Sequence, residues 1–188
     1  MLGIVTETWL ANGQALDQDV QDLAGGAGLG LIHKNRPANA MGVAHGGVAV
    51  IYKKSECSVI EVDLPNPDGY EVLVTAASIP GYSRKLLVVA CYVPPNYPVG
   101  RGRGCLSHIE DVVLELKRRY RDPFILVGGD FNQWQVQDAL EGFPDIREAP
   151  VGPTRKDRCL DRIFSNFGRS IIEAGSVPPL ETLSLIHI

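Results

Sequence analysis

Short apolar runs of strand length, each closed by turn residues, constrain this chain more than any other feature of its sequence. Leu2–Val5, Gly47–Tyr52, Ser58–Val62, Glu71–Ile79, Leu86–Tyr92, Phe124–Gly128 and Leu160–Phe164 all read as strands. Several are continuous rather than alternating, which is the pattern of strands covered on both faces. Glu71–Ile79 lies between Asn66-Pro67-Asp68-Gly69 and Pro80-Gly81, and Leu86–Tyr92 follows after a short gap. That arrangement predicts a hairpin. The 20 Gly and 13 Pro supply many turns and argue against a helical bundle.

One helix is well marked. Ser107 reads as an N-cap with Glu110 three residues on, a capping box. Ile109, Val112, Val113, Leu116 and Tyr120 then share one face at helical spacing. Lys117, Arg118 and Arg119 complement the negative end of the helix dipole before Pro123 stops it. Weaker helical patterns cover Asp17–Leu23 and Gln135–Leu140. Strands and helices interleave, so the class is mixed α and β.

At 188 residues the chain suits one domain with a real core, and its 45% apolar and 21% charged residues are those of a globular protein. The formal net charge of −4 excludes a broad basic face, so any DNA contact would be local. Cys57, Cys91, Cys105 and Cys159 are scattered, with no C-x-x-C and no zinc-ligand spacing, and read as free thiols. The longest apolar run, Leu86 to Val93, is too short to span a bilayer, and no secretory leader pattern opens the sequence. An intracellular protein of nucleus or cytoplasm, with no membrane partner, is the expectation.

The chemistry sits where polar residues meet strand ends. Phe124-Ile125-Leu126-Val127-Gly128-Gly129-Asp130-Phe131-Asn132 is an apolar strand that presents Asp130 and Asn132 two residues apart, on one face if the chain stays extended. Taken alone, an Asp-x-Asn more often caps a turn. Leu2–Val5 likewise delivers Glu7, flanked by Thr6 and Thr8, a suitable ligand for a hard cation or else a solvated edge residue. Leu86–Tyr92 runs into Tyr92 and the Pro94-Pro95 turn. Asp161 interrupts the last apolar run, and a buried carboxylate requires a partner.

Five segments in order resemble the endonuclease/exonuclease/phosphatase, or DNase I-like, superfamily, and within it the endonuclease domains of non-LTR, LINE-type retroelements. They are Thr6-Glu7-Thr8-Trp9-Leu10, Gly46-Gly47-Val48-Ala49-Val50, Tyr92-Val93-Pro94-Pro95-Asn96, Gly128-Gly129-Asp130-Phe131-Asn132, and Thr154 with Leu160-Asp161-Arg162-Ile163. The resemblance implies a four-layer sandwich, two mainly antiparallel sheets face to face with helices outside. It implies a Mg²⁺-dependent DNA-nicking phosphodiesterase, with Mn²⁺ as an alternative ion. Glu7 would be the metal ligand and Tyr92 would contact the scissile phosphate. Asp130 and Asn132 would orient water and bind phosphate, Thr154 would support the site, and Asp161 would orient a catalytic His. Arg155 and Arg158 are candidates for substrate phosphate. A phosphatase of the same superfamily, or a non-catalytic remnant that binds nucleic acid, is the alternative.

The sequence departs from the family pattern in two places. The family's first strand carries an active-site Asn ahead of the segment holding Glu7, and its last carries Ser-Asp-His. His33, His45, His108 and His187 all lie outside any Ser-Asp-His, with His33 and His45 read as solvent-facing loop residues and His108 as a first-turn helix residue. The expectation is therefore a domain over 1–182, incomplete at both ends and impaired in activity, with 183–188 a foreign or disordered tail. A monomer is expected, and the reverse transcriptase that usually accompanies such domains has no counterpart in these residues.

Overall fold

A computed structural model describes residues 2–8, 21–22, 24–35, 46–149, 159–167, 175–180 and 183–187, the last two stretches by backbone alone. The strands are β1 (Leu2–Thr6), β2 (Leu29–Lys34), β3 (Val48–Lys53), β4 (Ser58–Glu61), β5 (Glu71–Ser78), β6 (Leu86–Tyr92), β7 (Phe124–Asp130), β8 (Arg147–Glu148), β9 (Asp161–Ser165), β10 (Gly175–Leu180) and β11 (Leu183–His187). Helix α1 (Val99–Arg119) links β6 to β7, and the short α2 (Val136–Leu140) follows β7.

The strands form two sheets, one of five in the order β10-β11-β1-β3-β2 and one of six in the order β4-β5-β6-β7-β9-β8. Every pairing is antiparallel except β6 with β7. A parallel pair needs a long crossover, and α1 supplies it. The expected sandwich of two mainly antiparallel sheets flanked by helices is what the chain adopts.

Two cores explain why the strands read as continuous apolar runs. Val72, Val74, Leu87, Val89, Cys91, Ile125 and Val127 face outward from the six-stranded sheet onto Cys105, Ile109, Val112, Val113 and Leu116 of α1. The alternate residues, Leu73, Ala77, Val88, Ala90, Leu126 and Ile163, face the other sheet and meet Leu2, Ile4, Val48 and Val50. Period-2 alternation still operates, but both faces are dry.

Helix α1 begins at Val99, with Pro98 at its N-cap, two turns before the capping box that the sequence suggests. Gly100, Gly102 and Gly104 obscure that start, since Gly is a poor helix former. Tertiary packing overrides the propensity. A Cβ on Gly102 would lie 2.0 Å from the Trp134 ring, so the glycine makes the notch that Trp134 fills. His108 is consequently mid-helix, its ring 5.5 Å from that of Tyr70. His33 is in β2 rather than a loop, half-buried, with Nδ1 3.1 Å from Asn35 Oδ1.

Residues 183–187, expected to be foreign or disordered, form β11, pairing with β1 from Gly3↔His187 to Thr6↔Ser184. Leu-Ser-Leu-Ile-His alternates well enough for a strand, and β1 offers it an edge. His45 and most of Asp17–Leu23 lie outside the described residues.

The inter-sheet layer yields a stability expectation. Leu126 is fully buried there, so Leu126→Ala should cost about 2–5 kcal/mol of unfolding free energy, read by urea denaturation. A loss well under that range would show that the two sheets do not pack tightly at this position.

Candidate active site

Register carries the sequence-predicted residues together. On the inter-sheet face of the six-stranded sheet, Leu73, Ala90, Gly128 and Ile163 stand side by side across β5, β6, β7 and β9. Gly128 leaves the space that Ile4 of the opposite sheet fills, since a Cβ there would lie 3.0 Å from Ile4 Cδ1. Two residues further along each strand, toward the end of the sandwich, the row becomes Glu71, Tyr92, Asp130 and Asp161. The interior thus changes within one side-chain repeat from wholly apolar to three carboxylates and a phenol. Glu71, Tyr92, Asp130 and Asp161 are all buried, at 3%, 6%, 9% and 5% exposure.

Glu7 comes to this row from the other sheet, one residue beyond the end of β1. Its carboxylate accepts the Tyr92 hydroxyl at 2.7 Å, a contact between residues 85 apart in sequence. Glu7 has φ 54, a left-handed conformation that costs a non-glycine residue about 1–3 kcal/mol and persists where surrounding structure enforces it. The Tyr92 phenol is pushed well above its ordinary range, by burial first and then by its bond to Glu7 and the charges of Glu7, Asp130 and Glu71. It is therefore a permanent donor across physiological pH.

Asn132, also left-handed at φ 50, turns back so that its N–H donates to Asp130 Oδ1 at 2.8 Å while its Nδ2 donates to Val93 O at 3.1 Å. A left-handed conformation is comparatively easy for Asn. The turn-capping interpretation of Asp-x-Asn therefore holds, and the same cap fixes the orientation of the two side chains. Gly129, at φ 144, lets the β7 backbone lie against β6. A Cβ there would be 1.8 Å from Cys91 O, so no side chain is admissible.

Glu71 went unrecognised in the sequence. Its signal was the one that marked Asp161, an acid opening an otherwise apolar strand. Its Oε2 accepts the Gly47 N–H at 2.5 Å, and Gly46 and Gly47, at φ 99 and 92, form the turn that makes this possible. The Gly46-Gly47 pair singled out in the sequence thus has a defined task. Asp161 is at the start of β9 beside Asp130. Thr154, Arg155 and Arg158 lie outside the described residues.

These side chains offer hard oxygen donors. Glu7 is half-buried, and the neighbouring Thr6 and Thr8 hydroxyls are buried with no hydrogen bond within the described structure. Orphaned hydroxyls beside a carboxylate suit the coordinated waters of a cation that takes one or two protein carboxylates and completes its shell with water and substrate phosphate. Among the described residues no group of three His, Cys, Asp or Glu could cage an ion. The donor set fits an open, substrate-completed site and not a closed structural one.

A profile described as the Endonuclease/Exonuclease/phosphatase family matches residues 3–181. No curated protein matches the chain in sequence. Among solved structures, the chain is similar to a 3′-5′ exonuclease (NExo) from Neisseria meningitidis, at TM-score 0.64 and 12% identity over 97% of this chain and 87% of that one. It is similar to D. rerio TDP2 complexed with single-strand DNA product, at TM-score 0.56 and 11% identity over 98% and 86% of the two chains. It is also similar to a mannosyl-6-phosphatase from Bacteroides thetaiotaomicron, at TM-score 0.53 and 10% identity over 90% and 80%. At such identities the likeness is one of fold.

The displaced phenol predicts a pH dependence. Below the ordinary phenol value of 10 the proton is bound in folded and unfolded chains alike, and the stability from Tyr92 is fully present. As pH rises above 10 the unfolded chain loses its proton first, and that stability is lost. Urea titrations should show the chain losing more stability between pH 9 and 11 than Tyr92→Phe does. Equal losses would contradict the buried Tyr92–Glu7 bond.

Proposed function

The chain belongs to the endonuclease/exonuclease/phosphatase family, and from that premise we propose that it is a Mg²⁺-dependent phosphodiesterase that nicks DNA, of the type found in LINE-type retroelements. The observation that carries the reading is the meeting of Glu7 with Tyr92 across the two sheets, beside Asp130 and Asp161. The segments around Glu7 and Tyr92, Thr-Glu-Thr-Trp-Leu and Tyr-Val-Pro-Pro-Asn, support the retroelement type. The similar fold of TDP2, crystallised with a DNA product, supports a DNA substrate.

Glu7 would hold the cation, with Thr6 and Thr8 hydrogen-bonding its waters. When bound, the ion supplies Lewis-acid stabilisation to the non-bridging phosphate oxygens. Tyr92, kept neutral by burial, would donate its O–H to a phosphate oxygen beside the Glu7 carboxylate. Asp130 takes a proton from the attacking water, and Asn132 donates to the phosphate. Asp161 keeps the row negative, which favours the cation. Arg155 and Arg158 would contact flanking phosphates, and Thr154 would brace the site.

Supercoiled plasmid tests this reading. Nicking should require Mg²⁺, stop in EDTA, and fall about 100-fold or more in Glu7→Ala. A phosphomonoester or phosphoinositide should be turned over far less. Nicking that persists in EDTA or in Glu7→Ala would overturn the assignment.

A further inference from the structure

Glu71 is too deeply buried to be a surface acid and is not needed for any step above, yet the contacts that join Glu7 and Tyr92 across the two sheets close through it. Its Oε2 accepts the Gly47 N–H, and the carbonyl of the same Gly47 accepts the Thr8 N–H at 3.5 Å. Thr8 adjoins Glu7, whose carboxylate takes the Tyr92 hydroxyl. Tyr92 in turn is the direct register partner of Glu71 across β5 and β6. These contacts make a ring that returns to its starting residue and ties the five-stranded sheet to the six-stranded one at the candidate site.

The ring is tightly packed. A Cβ on Gly46 would lie 2.3 Å from Glu71 Oε2 and 3.1 Å from Tyr92 Cε1, so the Gly46 backbone lies directly over both side chains. A Cβ on Gly47 would lie 2.5 Å from Thr8 Oγ1. Both glycines have the positive φ that such a turn demands. Glu7 itself is left-handed at φ 54, and the residue after it is the one anchored, through the Thr8 N–H to the Gly47 carbonyl.

We propose that Glu71 is a positioning residue, which through the 46–47 turn and Thr8 fixes the backbone of Glu7 and so the direction of its carboxylate. This rests on the nuclease reading for its effect on activity, but not for its effect on structure. A glutamine keeps an acceptor oxygen for the Gly47 N–H; an alanine does not.

The test compares the full chain with Glu71→Gln, Glu71→Ala and Glu7→Ala. Amide hydrogen exchange should be faster at Gly47 and Thr8 in Glu71→Ala, and close to the parent rate in Glu71→Gln. Mn²⁺ binding, followed by electron paramagnetic resonance, should weaken about 10- to 100-fold in Glu71→Ala, the usual cost of losing a residue that orients a metal ligand. In plasmid nicking, kcat should fall by a similar factor with KM little changed, and Glu71→Gln should recover most of it. Melting temperatures of the variants separate this effect from general unfolding. Unchanged exchange at Thr8 and Gly47 in Glu71→Ala, or a Glu71→Gln as damaged as Glu71→Ala, would overturn the inference. Failure of the parent chain to nick, with the exchange pattern as expected, would instead remove the proposed function and leave Glu71 as the anchor of Glu7.

Discussion

The parallel pairing of β6 with β7 is the constraint on which the rest depends. It sets Tyr92 beside Asp130, and the antiparallel pairs on either side bring Glu71 and Asp161 into the same row. A one-residue slip of β7 against β6 would send Asp130 to the helix-covered face and leave Tyr92 without it. What prevents the slip is packing. On one face Leu87, Val89, Ile125 and Val127 are locked under α1, and on the other Val88, Ala90 and Leu126 are locked under β1 and β3. Gly129 adds a local condition, because no other residue lets β7 approach Cys91.

The site is thus the polar end of an apolar layer rather than a depression on the surface. Burying carboxylates is costly unless each is given hydrogen bonds or opposite charge. The chain meets part of that cost with backbone N–H donors, from Gly47 to Glu71 and from Asn132 to Asp130, and with the Tyr92 hydroxyl to Glu7. The same dry surroundings raise the phenol and strengthen every charge interaction a phosphate or cation would feel there. Placement on strand ends within a packed sandwich keeps the geometry rigid, which positioning chemistry requires.

Much of this was legible in the sequence because the candidate site lies at the ends of apolar runs. Glu7, Tyr92, Asp130 and Asp161 each stand where hydrophobic continuity breaks, and that break is visible without coordinates. Glu71 obeys the same rule, yet it passed for the first residue of a hairpin strand, since its meaning depends on Gly47, which is 24 residues away. Long-range register of this kind is not encoded in local pattern. The start of α1 was hidden for a related reason: two of its glycines, Gly102 and Gly104, are explained by Trp134 and Tyr70, which lie elsewhere in the chain. β2 and His33 were missed because Leu29–Lys34 follows a glycine-rich stretch and mixes polar with apolar residues.

Convergence of the two sheets on a common cation at Glu7 is what the proposed function requires. Anomalous diffraction from crystals soaked in Mn²⁺ and a short DNA duplex addresses it directly. The account expects an anomalous peak about 2.1 Å from a Glu7 carboxylate oxygen, with a DNA phosphate on its other side and Tyr92 within hydrogen-bond reach of that phosphate. A peak elsewhere, or DNA seated away from the Glu71–Tyr92–Asp130–Asp161 row, would contradict it.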